Sequence, residues 1–264
     1  MPELPEVETI VRSLRTYITG KKIERITLCG KNNRIFRYLS RGTWQKLIGT
    51  RIVGIHRLGK NIIISLSNKK FLTFHLMMSG RILFNPKESH ICDRLKIKLS
   101  GDNVLVFRDP RKFGWCRVLD TFDSLVGEDA LSVSPARFKK LLAGRGSAVK
   151  SFLLNQKFIA GTGNIYADEI LWYAGISPLK APNSLTPKET EKLYRMMRRV
   201  LFEGIKYGGT SSRDYQKPDG SLGNYYAVRA VYHRTGEKCR RDGSIIQRIV
   251  VGQRSTHFCP LHQK

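Results

Sequence analysis

The chain has 264 residues, of which 47 are lysine or arginine and 21 are acidic, for a formal net charge of +26. So basic a balance points to a polyanionic partner, and because the charges run through a chain that is 41% hydrophobic, a disordered basic tail is excluded. No apolar stretch approaches the roughly 18 residues that span a bilayer, and the N-terminus carries glutamates where a signal peptide would carry lysines and an apolar core. An intracellular protein is expected, and five scattered cysteines (Cys29, Cys92, Cys116, Cys239, Cys259) with no disulfide framework are expected to be reduced.

The first segment, "MPELPEVETIVRSLRTYITG", predicts a helix. Pro5 suits the first turn, Glu6 and Glu8 favour the positive end of the dipole, and Val7, Ile10, Val11 and Leu14 form one apolar stripe that Gly20 stops. From Lys22 to Asp120, short runs such as "RIVGIHRL", "NIIISLS", "FLTFHLMM" and "NVLVFR" alternate with Gly, Asn and Ser. That spacing predicts an antiparallel sandwich or barrel. After "LDTFDSLVGED" the character turns helical: Ser134 caps a helix with Pro135 at its first position, "AVKSFLLNQ" follows, and the glycine turn "IAGTGN" leads into "IYADEILWYAG". A long amphipathic helix, "TPKETEKLYRMMRRVLFEGIKYG", places Leu193, Met196, Met197, Val200 and Leu201 on one face. The last 35 residues return to short strands, where Cys239 and Asp242, then Cys259 and His262, are paired at zinc-ribbon spacing. The fold class expected is α+β with two domains: a β-rich N-terminal half and a helical C-terminal half.

Pro2 carries its own chemistry. Methionine before a small residue is commonly cleaved, which would leave a prolyl secondary amine at the N-terminus. An α-amino group titrates near about 8, against about 10.4 for lysine, so its free base is available at neutral pH. Attack on an aldehyde-level carbon gives an iminium that cannot shed its charge, an electron sink for elimination. Glu3 beside it is placed to protonate a leaving oxygen. The bland alternative is that both residues simply start a helix.

The stretches "PELPEVET", "HLMMSGRI", "DPRKFG", "NQKFIAGTGNIYADEILWYAGISP" and "VVGQRSTHFCP" together resemble the bacterial formamidopyrimidine-DNA glycosylases, in order along essentially the whole chain. The resemblance implies a bifunctional glycosylase and abasic-site lyase of base excision repair. Its substrates would be 8-oxoguanine and formamidopyrimidines in double-stranded DNA, or abasic sites, and its cofactor one structural Zn2+. It implies a catalytic N-terminal helix and antiparallel β-sandwich over 1–125, a helix-two-turn-helix domain with a lesion-recognition loop over 126–227, and a zinc-finger β-hairpin over 228–264. Pro2 would form the Schiff base and Glu3 would protonate the sugar. Lys60 would donate a proton during β-elimination, and Arg254 would serve δ-elimination at the hairpin tip. Met78, Arg111 and Phe113 would fill the gap left by the everted base, although Met78 and Phe113 would serve equally as core residues. His90, Arg145, Lys150 and Asn164, with Arg111, would contact DNA. The stretch "GGTSSRDYQKPDGSLGNYY" resembles the loop that closes over that base.

Three departures from the family pattern stand out. The usual four zinc cysteines are here Cys239, Asp242, Cys259 and His262, which leaves open a metal-free hairpin or recruitment of His257 or His233. Met77 stands where glycine is usual before the wedge methionine, and Cys92 stands where a second histidine is common. The competing readings are an endonuclease VIII-like enzyme for oxidised pyrimidines and a non-catalytic damaged-DNA-binding protein. A cytoplasmic, nucleoid-associated monomer with no membrane attachment is expected.

Overall fold

The computed structural model describes residues 1–30, 41–122, 125–211 and 214–264, so Ser212 and Arg213 of the expected lesion loop lie outside the described residues. The chain divides into two units: Met1–Leu125 with Ile205–Tyr226, and Val126–Gly204 with Ala227–Lys264. Residues 205–226 thus group with the N-terminal unit, whereas the sequence reading kept them with the helical middle segment.

In the first unit, helix α1 (Leu4–Ile18) buries Leu4, Val7, Ile10, Val11, Leu14 and Ile18, the stripe that 3.6-residue periodicity dictates. Two four-stranded antiparallel sheets share its core. One has the order β1 (Ile23–Leu28), β6 (Asp93–Leu99), β7 (Asn103–Arg108), β5 (Arg81–Phe84). The other runs β2 (Ile52–Leu58), β3 (Asn61–Leu66), β4 (Phe71–His75), β8 (Trp115–Leu119). A short helix α2 (Arg41–Gln45) precedes β2. Strand β3 is buried along its whole length, which explains why "NIIISL" is a continuous apolar run rather than an alternating one. Ile97, Leu105 and Phe107 of one sheet and Ile62, Ile64 and Phe74 of the other belong to one apolar cluster with α1. Phe74 and Phe107 meet edge to face at 5.8 Å across it. Each such side chain contributes about 1.5–3 kcal/mol on burial, and the sandwich rather than the barrel is the outcome.

In the second unit, β9 (Glu128–Asp129) pairs in parallel with β10 (Ile159–Ala160). Helix α3 (Pro135–Leu142) starts where Ser134 Oγ accepts the Arg137 amide at 3.2 Å, as the sequence predicts. Helices α4 (Val149–Leu154) and α5 (Asn164–Ala174) follow, α5 ending at Gly175 with φ 70°. Helix α6 (Pro187–Lys206) opens with a capping box, since the Thr186 amide donates to Glu189 and the Glu189 amide to Thr186. Leu193, Met197, Val200 and Leu201 are buried, while Met196 is half-buried. A one-turn helix, α7 (Tyr225–Val228), precedes the final hairpin of β11 (Gln247–Val251) and β12 (Arg254–Phe258). The hairpin closes through Gly252 and Gln253, both at positive φ (54° and 63°), the pattern of a two-residue I′ turn. No helix among the described residues is long and apolar enough to cross a membrane.

Candidate functional site

Pro2 is buried, and Glu3, 3% exposed, is the N-cap of α1. A reciprocal pair fixes the helix start: the Glu3 carboxylate accepts the Glu6 amide, and Glu6 Oε2 accepts the Glu3 amide at 2.7 Å. The second oxygen of the buried Glu6 carboxylate accepts the amide of Thr210 at 2.7 Å. Gly209 (φ 86°) packs so closely that a Cβ there would lie 2.9 Å from Glu6 Cγ. Tyr215 donates its hydroxyl to the Gly208 carbonyl at 3.0 Å over the same carboxylate, and burial, with Glu6 adding its charge, drives that phenol far above its usual range. The N-terminal turn is therefore tied to Gly208, Gly209, Thr210 and Tyr215 in a single hydrogen-bonded structure.

Lys60 sits in the two-residue turn between β2 and β3 and is 5% exposed, so it is not a solvated surface charge. Burial foremost, then the Lys60 charge, lowers His75 to about 4. Its neutral ring stacks on Trp115 at 5.5 Å and accepts the Met77 amide at Nδ1, 3.1 Å away.

Met78 and Phe113 are 38% and 37% exposed, which removes both from the core. Arg111 is exposed, and its guanidinium lies 4.9 Å from the Phe113 ring centroid. The residues beside them, Met77 (φ 51°) and Lys112 (φ 58°), hold left-handed backbone, a strained state for side chains other than Gly, Asn or Asp. Both turns are tied by the fully buried Asp109. Its Oδ1 accepts Ser79 Oγ at 2.5 Å and the Arg111 amide at 3.2 Å, and its Oδ2 accepts the Gly114 amide at 2.8 Å. The structure thus presents an apolar, a cationic and an aromatic side chain outward from one rigid node.

Of the residues expected at phosphate, His90 is exposed, with its Nδ1 accepting the Cys92 amide at 3.0 Å. Arg145 lies 3.5 Å from the Phe158 ring centroid and donates to the Leu141 carbonyl. Asn164 begins α5, but its side-chain amide donates to the Ser255 carbonyl at 3.0 Å. Lys150 requires a correction. Its side chain has no exposed surface, its Nζ stands 2.7 Å from Asp168 Oδ1, and it also donates to Ser255 O and Thr256 Oγ1. An ammonium with no exposed surface, ion-paired with Asp168 and donating to two protein oxygens, is not placed to meet a phosphate. Arg254 is exposed at the start of β12, directly after the turn.

Cys239, Asp242 and Cys259 offer ligand atoms that all lie within 4.8 Å of one another. The donor set fits a zinc ion: two sulfurs and a carboxylate converge, with Trp172 Nε1 donating to Cys239 Sγ at 3.4 Å and the His262 amide to Cys259 Sγ at 3.3 Å. His262, expected as the fourth ligand, is not in that group. Its Nε2 is 2.7 Å from the Trp172 carbonyl, and since a carbonyl only accepts, Nε2 carries the proton and Nδ1 keeps its lone pair. The ring has the tautomer of a ligand but stands turned onto Trp172. His257 is not in that group either; its Nδ1 is held by Asp168 Oδ2 at 2.9 Å.

Family models cover the chain in the same order as the geometry. The formamidopyrimidine-DNA glycosylase N-terminal domain matches residues 1–116, the formamidopyrimidine-DNA glycosylase H2TH domain 126–216, and the zinc finger found in FPG and IleRS 236–261. A formamidopyrimidine-DNA glycosylase of Erythrobacter litoralis is 39% identical over 100% of both chains, and one of Pelotomaculum thermopropionicum is 38% identical over 100% of this chain and 99% of its own. The chain belongs to the formamidopyrimidine-DNA glycosylase family. Among solved structures, the Lactococcus lactis Fpg with abasic-site DNA superposes with a TM-score of 0.89 at 34% identity, covering 99% of each chain. A Lactococcus lactis FPG mutant bound to Fapy-dG DNA gives 0.89 at 36% identity over 100% of each. The α+β fold, the H2TH domain and an FPG-type zinc finger are thereby shared with this glycosylase family, and the Cys-Asp-Cys group is consistent with one structural zinc.

Within this glycosylase, the sequence reading did not anticipate the burial of the Glu6, Asp109, Asp168 and Glu169 carboxylates. Glu169 accepts three successive amides, those of Ala230, Val231 and Tyr232, at 2.7, 2.9 and 2.9 Å. The available signal was excess: acids inside otherwise apolar stretches ("DEILWYAG") of a chain short of acids have to be paired.

Proposed function

We propose that this protein is a bifunctional DNA glycosylase and abasic-site lyase that excises oxidised purines, 8-oxoguanine and formamidopyrimidines, from duplex DNA. The observation that carries the reading is the buried Pro2–Glu3 start of α1, locked by Glu6, in a chain alike to glycosylases over its full length.

With Met1 removed, the Pro2 nitrogen attacks C1′ as the bond to the base breaks, and the base leaves with the electron pair. Glu3 protonates the sugar ring oxygen as the ring opens, leaving an iminium at C1′. The iminium acidifies C2′; loss of that proton expels the 3′ phosphate (β-elimination), with Lys60 as proton donor. Loss of a further proton from C4′ expels the 5′ phosphate (δ-elimination), with Arg254 at the departing group. A base inside a duplex is out of reach of such an amine, so it is everted, and Met78, Arg111 and Phe113 occupy the space it leaves. His90, Arg145 and the start of α5 at Asn164 hold phosphates, and residues 209–225 close over the base. Cys239, Asp242 and Cys259, with His262 turned inward, would hold a structural zinc that keeps the hairpin folded. The catalytic sandwich (1–125), the H2TH segment with its loop (126–227) and the finger (228–264) are its functional parts, at work on the bacterial nucleoid in the cytoplasm.

Borohydride trapping on a duplex with one 8-oxoguanine opposite cytosine tests the reading, with mass spectrometry to locate the adduct. A covalent complex at Pro2 is expected. A protein lacking Met1 that neither traps nor nicks this duplex would sink it, and preferential excision of thymine glycol would transfer it to the pyrimidine enzymes.

A further inference from the structure

A buried ion pair in the second unit, Lys150 with Asp168, has no part in the chemistry described so far. Asp168 on α5 pairs through Oδ1 with Lys150 of α4 at 2.7 Å, and through Oδ2 with both the amide and Nδ1 of His257 at 2.9 Å. Lys150 and Asp168 have no exposed side-chain surface, and His257 is 3% exposed. From the same ammonium, hydrogen bonds run to the Ser255 carbonyl (2.9 Å) and to Thr256 Oγ1 (2.8 Å). Asn164 donates to that same carbonyl at 3.0 Å. Residues 255, 256 and 257 of β12 are thus each gripped from α4 or α5. Thr256 passes the grip one residue further, its hydroxyl donating to the Arg254 carbonyl at 3.1 Å. On the other side of the turn, a Cβ on Gly252 would lie 2.9 Å from Ser151 Oγ, next to Lys150.

A buried ion pair is a costly way to hold two helices together, since well-packed apolar residues usually serve as well or better. Its return is directional: charge-assisted bonds fix a backbone position where apolar packing tolerates slip. The side-chain bonds from Lys150, Asn164 and Asp168 described above end on the three residues behind Arg254, the exposed arginine at the tip.

We propose that Lys150 and Asp168 are positioning residues for Arg254, setting the hairpin so that its guanidinium meets the phosphate that departs in δ-elimination. This role rests on the lyase reading given above. The steps up to β-elimination are assigned above to Pro2, Glu3 and Lys60, so they are expected to be independent of the Lys150–Asp168 pair.

The test is a product analysis on a duplex with one abasic site, using the full chain loaded with zinc. In the paired variant Lys150→Met with Asp168→Asn, both charges go together, so neither is left buried and alone. Borohydride trapping should stay within about twofold of the parent, while the ratio of δ to β products falls by about tenfold or more, the scale expected when a catalytic group is misplaced by about an ångström. Thr256→Val removes only the hydroxyl link and should lower the same ratio by about threefold. Zinc content and the thermal midpoint establish folding, and Thr256→Val decides the matter if the paired variant does not fold. A ratio unchanged in a folded variant overturns the proposal, as does trapping that falls in step with δ-elimination. A parent that nicks only by β-elimination also overturns it, whereas a parent that neither traps nor nicks overturns the function itself.

Discussion

Glu6 Oε1 accepts the amide of Thr210 at 2.7 Å, joining residues 204 positions apart in the chain. Because Glu6 Oε2 accepts the amide of Glu3, the residue next to the proposed nucleophile and the segment proposed to close over the base share one carboxylate. Order in one is felt by the other.

Glu6→Gln tests that link. Glutamine has one acceptor oxygen, so one of the two amides would face an NH2 group in a buried site, at a cost of about 1–3 kcal/mol. The trapping rate should fall by about tenfold with misplacement of the N-terminal turn, while affinity for undamaged DNA stays level. Thermal unfolding and single-turnover trapping measure the two effects, and an unaltered melting curve would count against the shared carboxylate.

Met77 holds φ 51°, where β-branched side chains are worst placed. Met77→Val should lose about 1–2 kcal/mol, whereas Met77→Gly, free to adopt that backbone, should be neutral or gain up to about 1 kcal/mol. Urea unfolding of both variants gives the comparison; equal losses would remove the strain argument.

His75 gives stability a pH dependence of definite sign. Burial first, then the Lys60 charge, lowers its folded value from 6.5 to about 4, so between these pH values the unfolded chain binds the extra proton and stability rises with pH. The contribution is complete above about 6.5 and lost as pH falls toward 4, about 3 kcal/mol in all. Denaturant unfolding at pH 7.5 and 4.5 measures it. His75→Asn, which keeps an acceptor for the Met77 amide, should flatten the slope; a slope left intact would assign it elsewhere.

One zinc per chain is expected by native mass spectrometry, with Asp242→Cys holding it at least about tenfold more tightly against a chelator, because thiolate is the softer ligand. Asp242→Ala should release it. Retention of metal by the alanine variant would place the ion among other ligands.

An uncleaved Met1 turns the Pro2 nitrogen into an amide without an available lone pair. Protein retaining Met1 should give no borohydride adduct at any enzyme concentration, while binding DNA as the processed form does. Equal trapping by the two forms would exclude the N-terminal amine.

Much of this was legible in the sequence, for identifiable reasons. Helices α1 and α6 declare themselves because each buries a single stripe at 3.6-residue spacing, and β3 because it is covered on both faces. The long motifs place the chain in its family before any coordinates are considered. The resemblance assigns Lys150 to phosphate, and nothing in "AVKSFLLNQ" foretells its burial; only the fold brings Asp168 to it. The return of residues 205–226 to the first unit was illegible for a similar reason, since it depends on a contact as distant in sequence as Glu6 with Thr210. His262 has the right spacing for a ligand, but the Trp172 carbonyl that turns its ring lies far back on α5.

The path of the chain between its two units carries a lesson for dissection. The polypeptide passes from one to the other three times, after Leu125, Gly204 and Tyr226, so neither is encoded by one uninterrupted stretch. An N-terminal fragment ending at residue 125 would keep both sheets yet lose Thr210 and Tyr215, stranding the Glu6 carboxylate in an apolar crevice. Such a piece should aggregate or remain molten when expressed alone, and recombination between relatives would be tolerated only where a crossover carries Glu6 and residues 205–226 from the same parent.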